Sequence, residues 1–147
     1  MAEVTRKEVI MIINGSDRPR LAGVDLSSEN LSRLDFENAN MRGAILQGTN
    51  LNEAILRNTN MTGINMTATQ AAYADFSNAI LTAGNLTLAN LQGARLTGAI
   101  LTNANLNGVN LKGANMSGAK VDGVKFDDGT TWPDGKKGSQ GVPASYT

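Results

Sequence analysis

The chain has 147 residues, 13 of them basic and 13 acidic, with no cysteine and no histidine. Its length suits one domain, and its balanced charge gives no overall drive toward nucleic acid or an anionic membrane. Lack of cysteine excludes disulfides and thiolate chemistry, and lack of histidine removes both the commonest general base and the commonest metal ligand.

In chain order, the first element is short. Thr5 and Glu8 have the spacing of a capping box and Asn14-Gly15 supplies a stop, which predicts a helix over 6–13. Val9 to Ile13 is also a largely β-branched apolar run of the kind a strand uses. Either element is too short to span a bilayer and its flanks lack the pattern of a cleaved leader, so the expected compartment is the cytoplasm. Residues 1–20 are expected to cover one end of the domain formed by the rest of the chain, with Gly15 to Arg20 as the entry turn.

From Leu21 to Phe126 every fifth residue is large and apolar, and 20 of the 22 positions in that register are Leu, Met or Phe. Ala71 and Val121 are the exceptions. The residue two places earlier is Ala at 11 of the 22 positions, the residue just before is Asn or Asp at 13, and Gly closes ten pentads. A period of five fits neither a helix nor a strand, so the chain must turn at regular intervals. Each pentad is then one side of a coil, and coils must stack to bury their apolar residues, which predicts a solenoid.

The motif Ala-(Asp/Asn)-Leu-x-x, clearest at Ala39-Asn40-Met41-Arg42-Gly43, Ala74-Asp75-Phe76-Ser77-Asn78, Ala89-Asn90-Leu91-Gln92-Gly93, Ala104-Asn105-Leu106-Asn107-Gly108 and Ala114-Asn115-Met116-Ser117-Gly118, resembles that of the pentapeptide repeat proteins. One register holds without an insertion. The resemblance implies an all-β fold, a right-handed quadrilateral β-helix with four pentads per coil. The central apolar and preceding small residue face inward, and residues 20 apart lie above one another. At ~4.8 Å per coil, five coils make a rod roughly 25 Å long. On this reading the repeat occupies 21–128, residues 1–20 form an N-terminal cap with a short helix, and residues 129–147 form a C-terminal loop cap and flexible tail. By resemblance to cyanobacterial-type members, Trp132 folds over the last coil. From Lys136 onward the sequence is small, polar and aperiodic, and is expected to be mobile.

Volumes bear on the stacking. One small-residue column would contain Val24, Ala44, Ile64, Gly84, Ala104 and Val124, so that the oversized Ile64 meets the one glycine found at such a position. Ala71, between Leu51 and Leu91 in its column, leaves room for a cavity of ~2 to 3 kcal/mol, a local bulge or pocket beside Tyr73, or repacking with Thr69.

Function must lie on the outward positions. The Asn columns, such as Asn30, Asn50, Gln70, Asn90 and Asn110, resemble a hydrogen-bonding template for ice or glycan, and equally satisfy turn backbone groups. Ile80 and Ile100 would be neighbours on one face, making a small apolar pair and the candidate partner contact. Some pentapeptide repeat proteins mimic DNA and engage gyrase or another topoisomerase. Here Leu21 to Phe126 carries seven acids and seven bases, and no acid lies between Asp75 and Asp122, a poor imitation of a uniformly negative duplex.

Other signals fail. All three Phe lie in core register, leaving no stacking platform for single strands. Gly129 to Lys137 lacks phosphate-loop spacing, and Asp127-Asp128-Gly129 lacks a third calcium ligand. No pair of carboxylates sits in a recognisable general acid/base context, and Ser or Thr nucleophiles lack an imidazole partner. The expectation is a non-catalytic scaffold or protein–protein interaction module. It has no cofactor, metal, nucleic acid or membrane as ligand, and acts as a monomer or a weak homodimer through an end or a face.

Overall fold

The computed structural model describes residues 2–147. Between Arg20 and Lys125 the backbone pairs with itself in parallel at a constant spacing of 20 residues, from Arg20 with Asn40 to Asn105 with Lys125. Each coil therefore holds four pentads, and a corner falls in each.

The corners follow from the pentad. At all 21 corners from residue 23 to residue 123 the second residue after the central apolar one has φ between 54° and 72°. The N–H of the following small residue bonds back across the corner, as from Ala44 to Met41 at 3.0 Å, which gives a turn with a left-handed third residue. Glycine takes that conformation without steric cost, which is why it closes ten pentads. Between corners, the N–H of the central residue and of the left-handed residue both donate to the next coil, as from Leu51 to Gln70 (2.6 Å) and Glu53 to Ala72 (2.9 Å). Corner and ladder together satisfy four of the five N–H groups of each interior pentad and leave the N–H just after the central residue to other acceptors.

The interior is a column of Leu, Met and Phe lined with alanine, continuous from Leu21 to Met116. Four threonines are fully buried. Each donates its hydroxyl to a carbonyl of a central residue, Thr49 to Leu26 and Thr69 to Leu46 among them (2.8 and 2.6 Å), which offsets the cost of burying a polar group. The volume argument holds in detail. A Cβ at Gly84 would stand 3.3 Å from Ile64 Cγ2, 3.1 Å from Leu86 Cδ1 and 3.0 Å from the Leu81 carbonyl. At Ala71 the backbone does not bulge, because Ala71 N–H still reaches Asn90 O at 2.8 Å and Gln70 keeps its register with Asn50 and Asn90.

At the N-terminus, helix α1 spans Arg6–Asn14 and starts at the Thr5/Glu8 capping box. The strand reading of Val9 to Ile13 does not apply. Val9 is fully buried in the solenoid's core cluster, with Val4, Ile12 and Ile13 packed on it. Glu29 occupies a small-residue position of the first coil and accepts from the Arg6 N–H at 3.2 Å, placing an anion at the helix N-terminus.

At the other end the register slips by one residue, so that Asn110 pairs with Thr131. Asp127 fills the break, its Oδ1 accepting from Gly108 N–H (2.9 Å) and Gly129 N–H (3.0 Å). Trp132 is fully buried. Its Nε1 donates to Gly138 O at 2.8 Å, and its ring meets Phe126 edge-on at 5.2 Å and stacks on Tyr146 at 5.6 Å. From Lys136 onward, where the composition reads as a mobile tail, the chain takes up defined local structure. Residues Gly138–Gln140 and Pro143–Tyr146 form two 3₁₀ turns that bring Tyr146 back onto Trp132. Composition missed this because a buried indole supplies the packing that the tail's own small residues lack.

Candidate functional site

The outward side chains fall on four faces, numbered in chain order: face 1 carries residues 20 and 22 and their equivalents 20 apart, face 2 residues 25 and 27, face 3 residues 30 and 32, and face 4 residues 35 and 37.

Most of the Asn and Asp side chains on these faces are occupied by the backbone. All thirteen Asn and Asp residues that precede a central residue accept, through Oδ1, the N–H two residues on, at 2.9–3.2 Å. The asparagine columns are thus corner supports first. Gln70 shows the geometry by exception. It is one methylene longer, and Ala72 N–H goes instead to Asn52 Oδ1 of the preceding coil at 2.9 Å.

Face 4 holds a line of charge. Arg57 Nε lies 3.5 Å from Glu37 and 4.0 Å from Asp75, and Arg95 Nη1 lies 3.6 Å from Asp75. Arg33 and Glu53 pair at 3.2 Å on its corner with face 3. Face 3 is a line of amides, Asn90 Nδ2 donating to Gln70 Oε1 at 3.3 Å and Asn110 Nδ2 to Asn90 Oδ1 at 3.4 Å.

Face 1 contains the candidate contact. Ile80 and Ile100 pair directly across adjacent coils, half-buried, in the column Arg20, Asn40, Asn60, Ile80, Ile100, Lys120. Two other apolar residues of the solenoid are exposed, of which the sequence reading missed Leu88 and took Tyr73 only as a neighbour of Ala71. Tyr73 and Leu88 are 64% and 62% exposed, and both hold a left-handed corner, with φ of 60° and 61°. Each leans over a glycine of the next coil, Tyr73 on Gly93 and Leu88 on Gly108. The available signal was a bulky residue at a position where glycine or asparagine is the easy choice.

Three open clefts lie where the terminal segments meet the solenoid. One of about 330 Å³ is lined by Asp17, Asp35 and Glu37, and a second of about 430 Å³ by Arg18, Arg20, Asn40 and Asn60. The third, also about 430 Å³, lies between Lys112 and Lys137. None of the three is lined by Ile80 or Ile100. No group of three or more acidic residues close enough to hold a metal ion occurs among the described residues. No helix among them is long and apolar enough to cross a membrane.

A four-sided solenoid with a sealed core and hydrogen-bonded corners defines a β-helical repeat protein. The chain belongs to the pentapeptide repeat family, whose model, Pentapeptide repeats, matches it in 8 copies over residues 20–58, 56–87 and 89–128. The fold of that family makes the solenoid a right-handed β-helix. A pentapeptide repeat protein of the Arabidopsis thaliana thylakoid lumen is 34% identical, with 65% of this chain and 70% of that one covered and a TM-score of 0.54. Rfr23, from the cyanobacterium Cyanothece 51142, is also 34% identical, covering 77% and 87% with a TM-score of 0.41. QnrB1, a plasmid-mediated fluoroquinolone resistance protein, is 19% identical over 77% and 87%, with a TM-score of 0.27. None of the curated proteins compared matches the chain.

Proposed function

We propose that this protein is a non-catalytic scaffold that binds another protein through face 1, with Ile80 and Ile100 at the contact. The observation that carries this reading is the stacked isoleucine pair, half-exposed at a position where the repeat most often puts an Asn or Asp bound to its own backbone. The inward residues are committed to packing, so the outer faces can vary while the rod stays fixed. In this reading α1 and the Trp132 segment are end caps, residues 21–128 are the display rod, and the chain works as a monomer or a weak homodimer through an end or a face.

The carboxylates argue against a topoisomerase-directed DNA mimic. Asp25, Asp35 and Asp75 accept from turn N–H groups, and Glu37, Glu53 and Asp75 face arginines. Supercoiling by gyrase is therefore expected to be indifferent to an excess of this protein.

The test is affinity capture from a lysate of the source organism, with wild type beside an Ile80→Asp/Ile100→Asp variant. A protein retained by wild type and lost by the variant is the expected result. Identical captures would move the contact off face 1.

A further inference from the structure

The isoleucines do more than expose carbon. Wherever Asn or Asp precedes the central residue, its carboxamide or carboxylate takes the N–H two residues on; isoleucine cannot. One coil below the pair, Thr62 gives both its N–H and its hydroxyl to Asn60 Oδ1, at 3.2 and 2.8 Å. At Ile80 and Ile100 the corresponding N–H and hydroxyl groups of Thr82 and Thr102 find no acceptor among the described residues. Ile45 and Ile55 leave the same gap at Gln47 and Arg57, but singly, since the next coil returns to Asn65 and Asp75. On face 1 the gaps stand on successive coils. The coil beyond Ile100 then presents Lys120, exposed and without an ion pair among the described residues.

We infer that this patch takes an acidic-aliphatic peptide segment of its partner, with an aliphatic side chain laid over Ile80 and Ile100 and a carboxylate accepting from Thr82 or Thr102. The proposal rests on the scaffold reading above and names the chemistry of that partner. Three features fix the occupant. The apolar pair favours a hydrocarbon group, since covering it removes carbon from water. The stacked donors require an acceptor, because covering them without one would forfeit their hydrogen bonds to water. Lys120 selects an anionic acceptor over a neutral one. The backbone already accepts a carboxylate in this role: Asp25, Asp35 and Asp75 take the equivalent N–H at 2.9–3.0 Å. The partner's carboxylate would supply from outside what those residues supply from within.

The probe is the acetylated, amidated peptide Leu-Asp-Leu-Asp, titrated into isotope-labelled full-length protein while backbone amide resonances are followed. Saturable shifts at Thr82 and Thr102 are expected. Binding should weaken about tenfold for the Leu-Asn-Leu-Asn peptide, because neutral hydrogen bonds are roughly half as strong as charge-assisted ones, and vanish for Leu-Lys-Leu-Lys. The Ile80→Asn/Ile100→Asn variant restores the residue the repeat prefers, so it should fold, fill both gaps itself and lose the peptide. Ile80→Val/Ile100→Val should keep it. Unmoved Thr82 and Thr102 amides, an equal response to the lysine peptide, or binding that survives in the asparagine variant would each overturn the proposal. A peptide without effect alongside a face 1-dependent capture from lysate would remove this chemistry and leave the scaffold reading standing; failure of both removes both.

Discussion

The Arg6 guanidinium donates to the Asn30 carbonyl at 2.8 Å, and the same Nη1 reaches the Ser32 carbonyl at 3.1 Å. One coil further on, the equivalent carbonyls of Asn50 and Asn52 accept from Leu31 and Arg33 N–H, at 2.7 and 3.0 Å. Arg6 thus stands in for a coil that does not exist. The opposite end is finished differently. The Trp132 segment fills the centre of the last coil, while the N–H groups of Met116, Gly118, Val121 and Gly123 have no partner among the described residues. An unpaired strand edge is a template for association, so closing one end with a charged side chain has a consequence beyond local stability.

Arg6→Ala should lower stability by about 1–2 kcal/mol, the net worth of charge-assisted bonds in a partly solvated setting. Thermal denaturation followed by circular dichroism measures it. Hydrogen exchange should also accelerate at Thr5 and Val9 of the loosened helix start, while Gly118 and Gly123 exchange fast in either protein.

The contact between Gly84 and Ile64 predicts coupling across 20 residues. Gly84→Ala should cost about 1–3 kcal/mol, because its Cβ would press on Ile64, Leu86 and a backbone carbonyl. Added to Ile64→Ala, the same change should cost less than it does alone. A double-mutant cycle in urea gives the interaction energy, and strict additivity would contradict the stacking of these two residues.

Leu88 holds a left-handed corner while mostly exposed. That conformation costs an ordinary side chain roughly 1–2 kcal/mol, whereas asparagine tolerates it. Leu88→Asn should therefore stabilise the rod by about 0.5–1 kcal/mol, less than the full strain because contact with Gly108 is lost. A raised urea midpoint with an unchanged slope is the expected signature.

The C-terminal segment should open at both extremes of pH. Burial pushes the Tyr146 hydroxyl above its ordinary pKa, with the Asp134 carboxylate adding to the shift. Partial burial would raise Asp134, but hydrogen bonds from Lys136 and Tyr146 and the Lys136 charge outweigh it and hold the carboxyl below its ordinary value. A raised tyrosine contributes stability that is present below its unfolded pKa, near 10, and is lost as pH rises through the folded value. A depressed aspartate contributes stability present above its unfolded pKa, near 4, and lost as pH falls through the folded value. Trp132 fluorescence should shift to the red on either excursion, and Tyr146→Phe should remove the alkaline one.

How far the sequence could be read depended on how far apart the interacting residues lie along the chain. The period of five, the left-handed corners closed by glycine, the capping box of Thr5 and Glu8, and the corner role of the Asn and Asp residues all arise within a few residues. Periodicity then extended local order to long range, because a constant coil length turns every contact into a multiple of 20, which is how Ile64 and Gly84, or Ile80 and Ile100, could be paired from the sequence. Contacts outside that arithmetic were not legible. Arg6 meets Asn30 across 24 residues, and Tyr146 returns to Trp132 through a tail whose composition reads as mobile. The apolar character of Ile80 and Ile100 was visible in the sequence, but the unmet donors of Thr82 and Thr102 beside them were not. The sequence by itself determined the coil, its corners and its core, since each is set by side-chain volume and backbone preference repeated at a fixed interval. The tertiary structure alone decided how the ends are closed and where the outer surface still lacks a hydrogen-bond partner, since both depend on which groups meet after the chain has wound.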